Sequence, residues 1–120
     1  AAAKEACDKA LEASKNANND IYFAIGKSEI TSAQQAKINK LVKKLNQNPE
    51  AKVTLCGFAD KSTGNPERNM ILSQDRVNEV AKALEAKGIS SDRIVTYWFG
   101  DTVSVSDIAY KNRVCVTVSE

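Results

Sequence analysis

Apolar residues recur at helical spacing along two segments of this chain. In the longer segment they form one stripe, made of Leu72, Val77, Val80, Ala83 and Leu84. Asn65 is a favourable N-cap, Pro66 suits the first helical position, and Gly88 can close the other end. Because a helix advances roughly 100° per residue, this spacing predicts a helix over residues 66 to 87 that packs on a sheet.

The shorter helical segment lies nearer the start of the chain. Its apolar stripe consists of Ile38, Leu41, Val42 and Leu45. Thr31 and Gln34 have the spacing of a capping box, and Asn48-Pro49 ends the segment. A second helix is therefore predicted between Thr31 and Asn48.

Four segments rich in β-forming residues alternate with these helices. They cover residues 21–25, 52–59, 93–99 and 113–118. This order predicts an α/β sandwich with a βαβαββ sequence of elements, in which right-handed crossovers place the helices on one face of the sheet. Residues 1–19 carry only a narrow apolar stripe, which predicts a linker or modest helix before a domain over residues 20–120.

Three polar residues interrupt the longer stripe in its N-terminal half, namely Asn69, Ser73 and Arg76. Asp60 lies just beyond the carboxyl end of the strand over residues 52–59, where open α/β sheets bind their ligands. A carboxylate can accept from an ammonium group, and a guanidinium can hold a carboxylate with its planar fork. Asp60 and Arg76 are therefore predicted to bind a zwitterion such as an amino-acid head group.

A purely structural interpretation stays open for both residues. Asp60 would then cap its own loop, and Arg76 would pair with Glu79 three residues further along the helix. If the two residues instead bind a ligand, Asp60→Ala or Arg76→Ala should abolish binding and leave the fold intact. Each variant would leave the other charge and its ligand group unpaired.

A series of spaced motifs runs through the same region. It consists of Gly57-Phe58-Ala59-Asp60, Gly64, Asn69-x-x-Leu72-Ser73-x-x-Arg76, Val80, Leu84 and Gly88-Ile89. The series resembles the signature of the OmpA-like peptidoglycan-binding domain, and the resemblance covers residues 20 to 120. It implies a mixed four-stranded sheet whose last strand lies antiparallel between the first and second strands.

The resemblance also implies a function, the non-covalent binding of the peptidoglycan stem peptide through its diaminopimelate residue, without catalysis or cofactor. The ligand-binding positions that it indicates are Asp60, Arg76, Asn69, Arg113 and the backbone amides of Ile25 and Gly26. It further implies that the domain belongs to a larger outer-membrane protein, in the periplasm of a Gram-negative bacterium and attached to the outer membrane. Homo-oligomerisation is left open.

Two departures from the family pattern favour a second interpretation. Ala24 stands where many members carry an aspartate, and Asn112 takes the place of one of two usual arginines. A degenerate domain of this kind would mediate assembly with other envelope proteins without binding the wall. The third class, an enzyme acting on peptidoglycan, would lack a histidine base, a metal-ligand set and an obvious nucleophile.

Composition limits the partners further. A chain of 120 residues fits one domain, and a net charge of +2 argues against a nucleic-acid-binding surface. No run approaches the ~20 apolar residues that span a bilayer, so the isolated domain is not expected to insert into a membrane. Because histidine and Cys-x-x-Cys spacing are both absent from the sequence, no metal site is predicted.

The chain contains three cysteines. Cys56 and Cys115 fall in predicted strands, and each is expected to be a small core residue. A disulfide between these two in an oxidising periplasm is the alternative. Cys7 is expected to be an ordinary helical residue.

Overall fold

The computed structural model describes residue 7 and residues 20–62, 64–102 and 112–119. Its elements are β1 (Asp20–Tyr22), α1 (Ser32–Gln47), β2 (Val53–Gly57), α2 (Pro66–Ala86), a 3-10 turn (Ser91–Arg93), β3 (Ile94–Trp98) and β4 (Val114–Ser119). The predicted order is confirmed. The first strand ends at Tyr22 instead of residue 25, because the chain turns at Gly26, whose φ of 67° favours glycine.

The four strands form one mixed sheet in the order β1-β4-β2-β3. β2 and β3 run parallel, with Gly57 beside Trp98, and β4 lies antiparallel to both β1 and β2. The inserted last strand, which the resemblance implied, is therefore confirmed.

One face of the sheet packs against the two helices. The apolar cluster between the layers contains Ile21, Phe23, Ile38, Leu41, Val42, Leu45, Val53, Leu55, Val77, Val80, Leu84, Ile89 and Cys115. Both helical stripes thus face the core as predicted, although Leu72 and Ala83 are only half-buried. Asn69, Ser73 and Arg76 are also buried, so the polar interruption lies on the packing face of α2.

The other face of the sheet carries a second apolar cluster and a disulfide. Cys56, Phe58, Val114 and Val116 lie there together with Cys7, which is helical and bonded to Cys56. The expectation that Cys7 is an ordinary residue is therefore wrong. The rest of the predicted linker over residues 1–19 lies outside the described residues.

The alternative disulfide between Cys56 and Cys115 is also wrong, for a reason of register. Cys56 is paired with Val116, so Cys115 is one position away along β4 and points to the opposite face. Cys115 is a buried free cysteine, and burial raises the pKa of its thiol. It is the small core residue that the sequence predicted.

The helix starts differ from one another in their capping. Asn65 caps α2 as predicted, because its side-chain oxygen accepts from the N–H of Arg68 at 2.9 Å. Thr31 occupies the N-cap position of α1 but makes no side-chain capping bond. Gln34 instead accepts from the N–H of Tyr22 at 3.0 Å, which satisfies a donor of edge strand β1, so the predicted capping box is wrong.

Arg93 joins the end of α1 to the start of β3. Its Nη2 donates to the carbonyls of Leu45 and Asn48 at 2.8 and 2.9 Å, and its Nε donates to that of Ala51 at 2.9 Å. The last carbonyls of a helix lack intrahelical partners and form its negative end. A half-buried arginine therefore closes this helix.

Gly57 lets α2 approach the sheet closely. A Cβ at this position would collide with the carbonyl oxygen of Ser73 and with Cγ2 of Val77. Because neither the helix backbone nor a packed valine can easily move aside, we expect Gly57→Ala to lower the free energy of unfolding by about 2 kcal/mol. Urea denaturation measures this loss.

Gly88→Ala is the matched control for this prediction. Gly88 has a φ of 92° and open space around a built Cβ, so alanine there adds conformational strain but no collision. We expect a smaller loss of about 1 kcal/mol. Equal losses in the two variants would show that close approach of α2 does not limit position 57.

Candidate functional site

The predicted site lies where β2 ends against β3, β4 and α2. Past Gly57, the N–H of Phe58 donates to the carbonyl of Val114 at 2.9 Å, and that of Ala59 donates to the carbonyl of Gly100 at 2.8 Å. These bonds hold the chain on both sides just before Asp60. The Asp60 carboxylate is therefore positioned by three strands, and its residue is only 4% exposed.

Asp60 accepts hydrogen bonds on both carboxylate oxygens. Oδ1 accepts from the N–H and the hydroxyl of Ser62 at 2.9 and 2.7 Å, and Oδ2 accepts from Nη1 of Arg113 at 3.2 Å. Burial raises the pKa of Asp60, but the bonds from Ser62 and the Arg113 cation outweigh it and hold that pKa below its usual value. Asp60 is therefore an anion at neutral pH. The loop-capping interpretation is correct in that Asp60 accepts from Ser62 in its own loop.

Arg76 is fully buried and donates to three backbone carbonyls. Nη1 reaches Phe58 at 2.9 Å, Nε reaches Lys27 at 2.9 Å, and Nη2 reaches Ala24 at 3.3 Å. The guanidinium also lies 5.3 Å from the centroid of the Phe23 ring. Arg76 thus joins the end of β2 to the chain that follows β1.

The alternative partner of Arg76 is not observed. Glu79 lies instead 3.8 Å from the ammonium of Lys82, on the solvent side of α2. The pairing of Arg76 with Glu79 is therefore wrong, because the guanidinium points into the sheet.

Charges of both signs meet at this end of the sheet. Burial and the neighbouring Arg113 cation lower the pKa of Arg76 to about 10, whereas Asp60 raises it. Arg76 is therefore still a cation at neutral pH. Two guanidinium groups repel each other beside one carboxylate, and a second anion placed between them would be attracted by both.

Arg113 is the residue that brings β4 to the site. Its Nε donates to the carbonyl of Phe23 at 3.0 Å while Nη1 holds Asp60. The side chain of Arg113 is 15% exposed. It is consequently more accessible than the buried Arg76.

Asn69 and Ser73 fix the loop that follows β3. Nδ2 of Asn69 donates to a carboxylate oxygen of Asp101 at 3.0 Å and, more weakly, to the carbonyl of Asp60 at 3.4 Å. The hydroxyl of Ser73 accepts from the N–H of Gly100 at 2.8 Å and donates to the carbonyl of Met70 at 2.8 Å. The polar half of α2 is therefore bonded to the loops after β2 and β3.

The predicted Ile25 and Gly26 positions lie in the turn after β1. The N–H of Lys27 closes this turn on the carbonyl of Ala24 at 3.0 Å, and the Ile25 side chain is 60% exposed. Because Arg76 binds the carbonyls of Ala24 and Lys27, it holds both ends of the turn. Of the six predicted residues, Asp60 thus bonds Arg113 and, through its carbonyl, Asn69. Arg76 interacts with Asp60 and Arg113 through charge, and its bonds to the backbone flank Ile25 and Gly26.

Two site residues were not predicted, Ser62 and Asp101. A signal for Asp101 was available, because β2 and β3 are parallel neighbours and Gly57 is paired with Trp98. Asp60 and Asp101 each follow their strand by the same number of residues, so both carboxylates belong at the same edge. Ser62 gave no comparable signal.

The described part of the chain contains neither a metal-binding cluster nor a membrane-spanning helix. Over residues 20–62, 64–102 and 112–119, together with Cys7, no group of three His, Cys, Asp or Glu side chains could hold a metal ion. Among these same residues, no helix combines the length and apolar character that crossing a membrane requires.

Comparisons with known proteins agree with this architecture. The OmpA family model matches residues 22–113. Outer membrane protein 40 of Porphyromonas gingivalis is 33% identical over 99 residues, which are 82% of this chain and 26% of that protein. The peptidoglycan-binding protein ArfA of Mycobacterium tuberculosis is 35% identical over 89 residues, which are 74% of this chain and 26% of that protein.

A solved structure has the same fold. The peptidoglycan-associated lipoprotein of Burkholderia pseudomallei superimposes with a TM-score of 0.80 at 21% identity, over 92% of this chain and 99% of that one. The fold and the site define an α+β domain of the OmpA-like class. The chain belongs to the OmpA family. It spans about a quarter of the length of the two curated relatives.

Proposed function

We propose that this domain binds the peptidoglycan stem peptide non-covalently, through the zwitterionic end of its diaminopimelate residue. The observation that carries the proposal is the cluster of Asp60 with Arg113 and Arg76 at the carboxyl end of β2. A carboxylate beside two guanidinium groups matches a ligand that carries an ammonium and a carboxylate on one carbon. Relatives named as peptidoglycan-binding and peptidoglycan-associated support the choice of ligand.

Each group has a role in this proposal. The ligand ammonium replaces the Ser62 hydroxyl at Asp60, which is feasible because Ser62 is exposed. The ligand carboxylate lies between Arg113 and Arg76, where it relieves the repulsion between the two cations. Because Arg76 is fully buried, a ligand can reach its guanidinium only if the turn that Arg76 bonds, between Ala24 and Lys27, moves slightly.

The remaining predicted residues support the clamp. Asn69 orients the loops on both sides of Asp60 through its bonds to Asp101 and to the Asp60 carbonyl. The backbone amides of Ile25 and Gly26 provide further donors for the ligand carboxylate, in a turn whose position Arg76 sets.

The cellular role that follows is anchoring. We infer that the domain is part of an outer-membrane protein, in the periplasm of a Gram-negative bacterium, and that it holds that protein to the cell wall. Relatives named as outer membrane proteins and peptidoglycan-associated lipoproteins support this location. Binding alone suffices for anchoring, so we propose neither catalysis nor a cofactor.

Calorimetric titration with diaminopimelate and with a stem-peptide fragment tests the proposal. We expect Asp60→Asn to weaken binding by about two orders of magnitude, because the variant keeps the side-chain shape but loses the charge that receives the ammonium. Asp92→Asn is the matched control, since Asp92 is exposed in the 3-10 turn. Its affinity should equal that of the wild type.

The competing function is assembly with other envelope proteins without wall binding. A wild-type domain that gives no heat with either ligand, yet forms a stable complex with itself or an envelope protein, would replace our proposal with that one. Binding that is unchanged in Asp60→Asn would show that the ligand is held elsewhere.

A further inference from the structure

We propose that Asp101 is a second ligand-binding carboxylate of this site and that it recognises the ammonium group of the ligand together with Asp60. This inference rests on the proposed function. It adds Asp101 to the site and explains a preference for ligands that carry an ammonium group, neither of which the family match or the named relatives provide. Three observations support it, namely the position of Asp101, its contact with Asn69, and the hydrogen bonds that its neighbour Asp60 already makes.

The topology places the two aspartates side by side. Gly57 at the end of β2 is paired with Trp98 at the end of β3, and each aspartate is the third residue after its strand end. The N–H of Ala59 donates to the carbonyl of Gly100 at 2.8 Å, so the two chains remain adjacent beyond the strand ends. Asp101 is therefore at the same edge of the sheet as Asp60, although Asp60 is buried and Asp101 is half-buried.

Asn69 joins the two residues through a single nitrogen atom. Its Nδ2 lies 3.0 Å from Oδ2 of Asp101 and 3.4 Å from the carbonyl oxygen of Asp60. The Asp101 carboxylate is thus no more than two hydrogen-bond lengths from the Asp60 backbone. This hydrogen bond positions the Asp101 carboxylate at the site.

The two carboxylates differ in their remaining acceptor capacity. Asp60 accepts from both donors of Ser62 and from Arg113, which is most of the four lone pairs that a carboxylate offers. Asp101 accepts from Asn69 on Oδ2, and no donor in the described part of the chain bonds its Oδ1. Since Asp101 is half-buried, that oxygen is within reach of a ligand.

The charge of the site supports the same assignment. With Asp60 alone, two guanidinium groups face one carboxylate, and such a site favours a simple anion. With Asp101 included, two cations face two anions, which matches a zwitterion. An ammonium group has three N–H donors, so it can bond Asp101 and Asp60 at the same time.

Asp101→Asn tests the inference, because asparagine keeps an acceptor for Asn69 and removes the charge. We expect the affinity for diaminopimelate, measured by calorimetry, to fall about tenfold, whereas the exposed control Asp92→Asn should not change it. Pimelate has the same carboxylates without ammonium groups. It should bind Asp101→Asn at least as tightly as wild type, as measured by displacement of a labelled stem peptide, because the variant has one carboxylate fewer to repel it.

The outcomes separate this inference from the proposed function. If wild type binds neither diaminopimelate nor the stem-peptide fragment, both are overturned. If wild type binds and Asp60→Asn does not, but Asp101→Asn binds like wild type, only the role of Asp101 is overturned. Equal losses for diaminopimelate and pimelate would also overturn it, because the effect would then not depend on the ammonium group.

Discussion

Replacing Arg76 with methionine will lower the free energy of unfolding by about 3–5 kcal/mol, as urea denaturation will measure. The substitution keeps much of the side-chain volume but removes every donor. The carbonyl of Phe58 would then be buried without its partner, and the carbonyls of Lys27 and Ala24 would lose theirs. A buried carbonyl without a partner costs about 1–3 kcal/mol, and the lost contacts of the buried guanidinium add to this cost.

Arg93→Met is the matched control for this experiment. Arg93 also donates to three carbonyls, but it is half-buried, so water can replace its donors when they are removed. We expect a loss of about 1 kcal/mol. Equal losses for the two arginines would show that burial of the Arg76 guanidinium does not determine the cost.

The stability of Arg76→Met also bears on whether Arg76 binds the ligand or supports the fold. From the sequence, a change at Arg76 was expected to abolish binding and leave the fold intact, but the three carbonyl contacts lead to a different expectation. Loss of binding in Arg76→Met is therefore ambiguous by itself. Asp60→Asn is the better test of ligand binding, because Asp60 bonds exposed Ser62 and partly exposed Arg113.

Removing the disulfide will have a comparable effect on stability. The bond joins Cys7 and Cys56 across 49 residues, and opening a loop of that length releases about 4 kcal/mol of conformational entropy to the unfolded chain. We expect Cys7→Ala to lower the free energy of unfolding by about this amount. Urea denaturation of wild type with added reductant should give the same value.

Cys115→Ala is the control for the disulfide. Cys115 is buried and unbonded, so its replacement removes packing contacts without opening a loop. We expect a loss of about 1 kcal/mol that does not depend on reductant. A Cys7→Ala variant as stable as wild type would mean that the Cys7–Cys56 bond does not stabilise the domain.

The predictable parts of the fold depend on local patterns. The start of α2 was predictable because Asn65 and Pro66 act on their own helix, and the apolar stripes identified the packing faces. The capping box failed because Gln34 bonds Tyr22 in another element. The Cys7–Cys56 bond was missed for the same reason, since Cys7 lies across the sheet from the helices.

The candidate site shows the same limit. Asp60 and Arg76 were found because one follows a strand and the other interrupts an apolar stripe. Their immediate partners are Arg113 and backbone carbonyls, which depend on the path of the chain in space. No sequence pattern records that path, so the buried bonds of Arg76 could not be predicted.

The order of the strands also limits when this domain can fold. β4 pairs with both β1 and β2, yet it is the last of the four to be synthesised. Until it emerges, β1 lacks the only strand that it pairs with in the described part of the chain, and Arg113 cannot bring Asp60 and Phe23 together. Because such long-range pairing is slow to form, the sheet and the site are completed only after the last strand has been made.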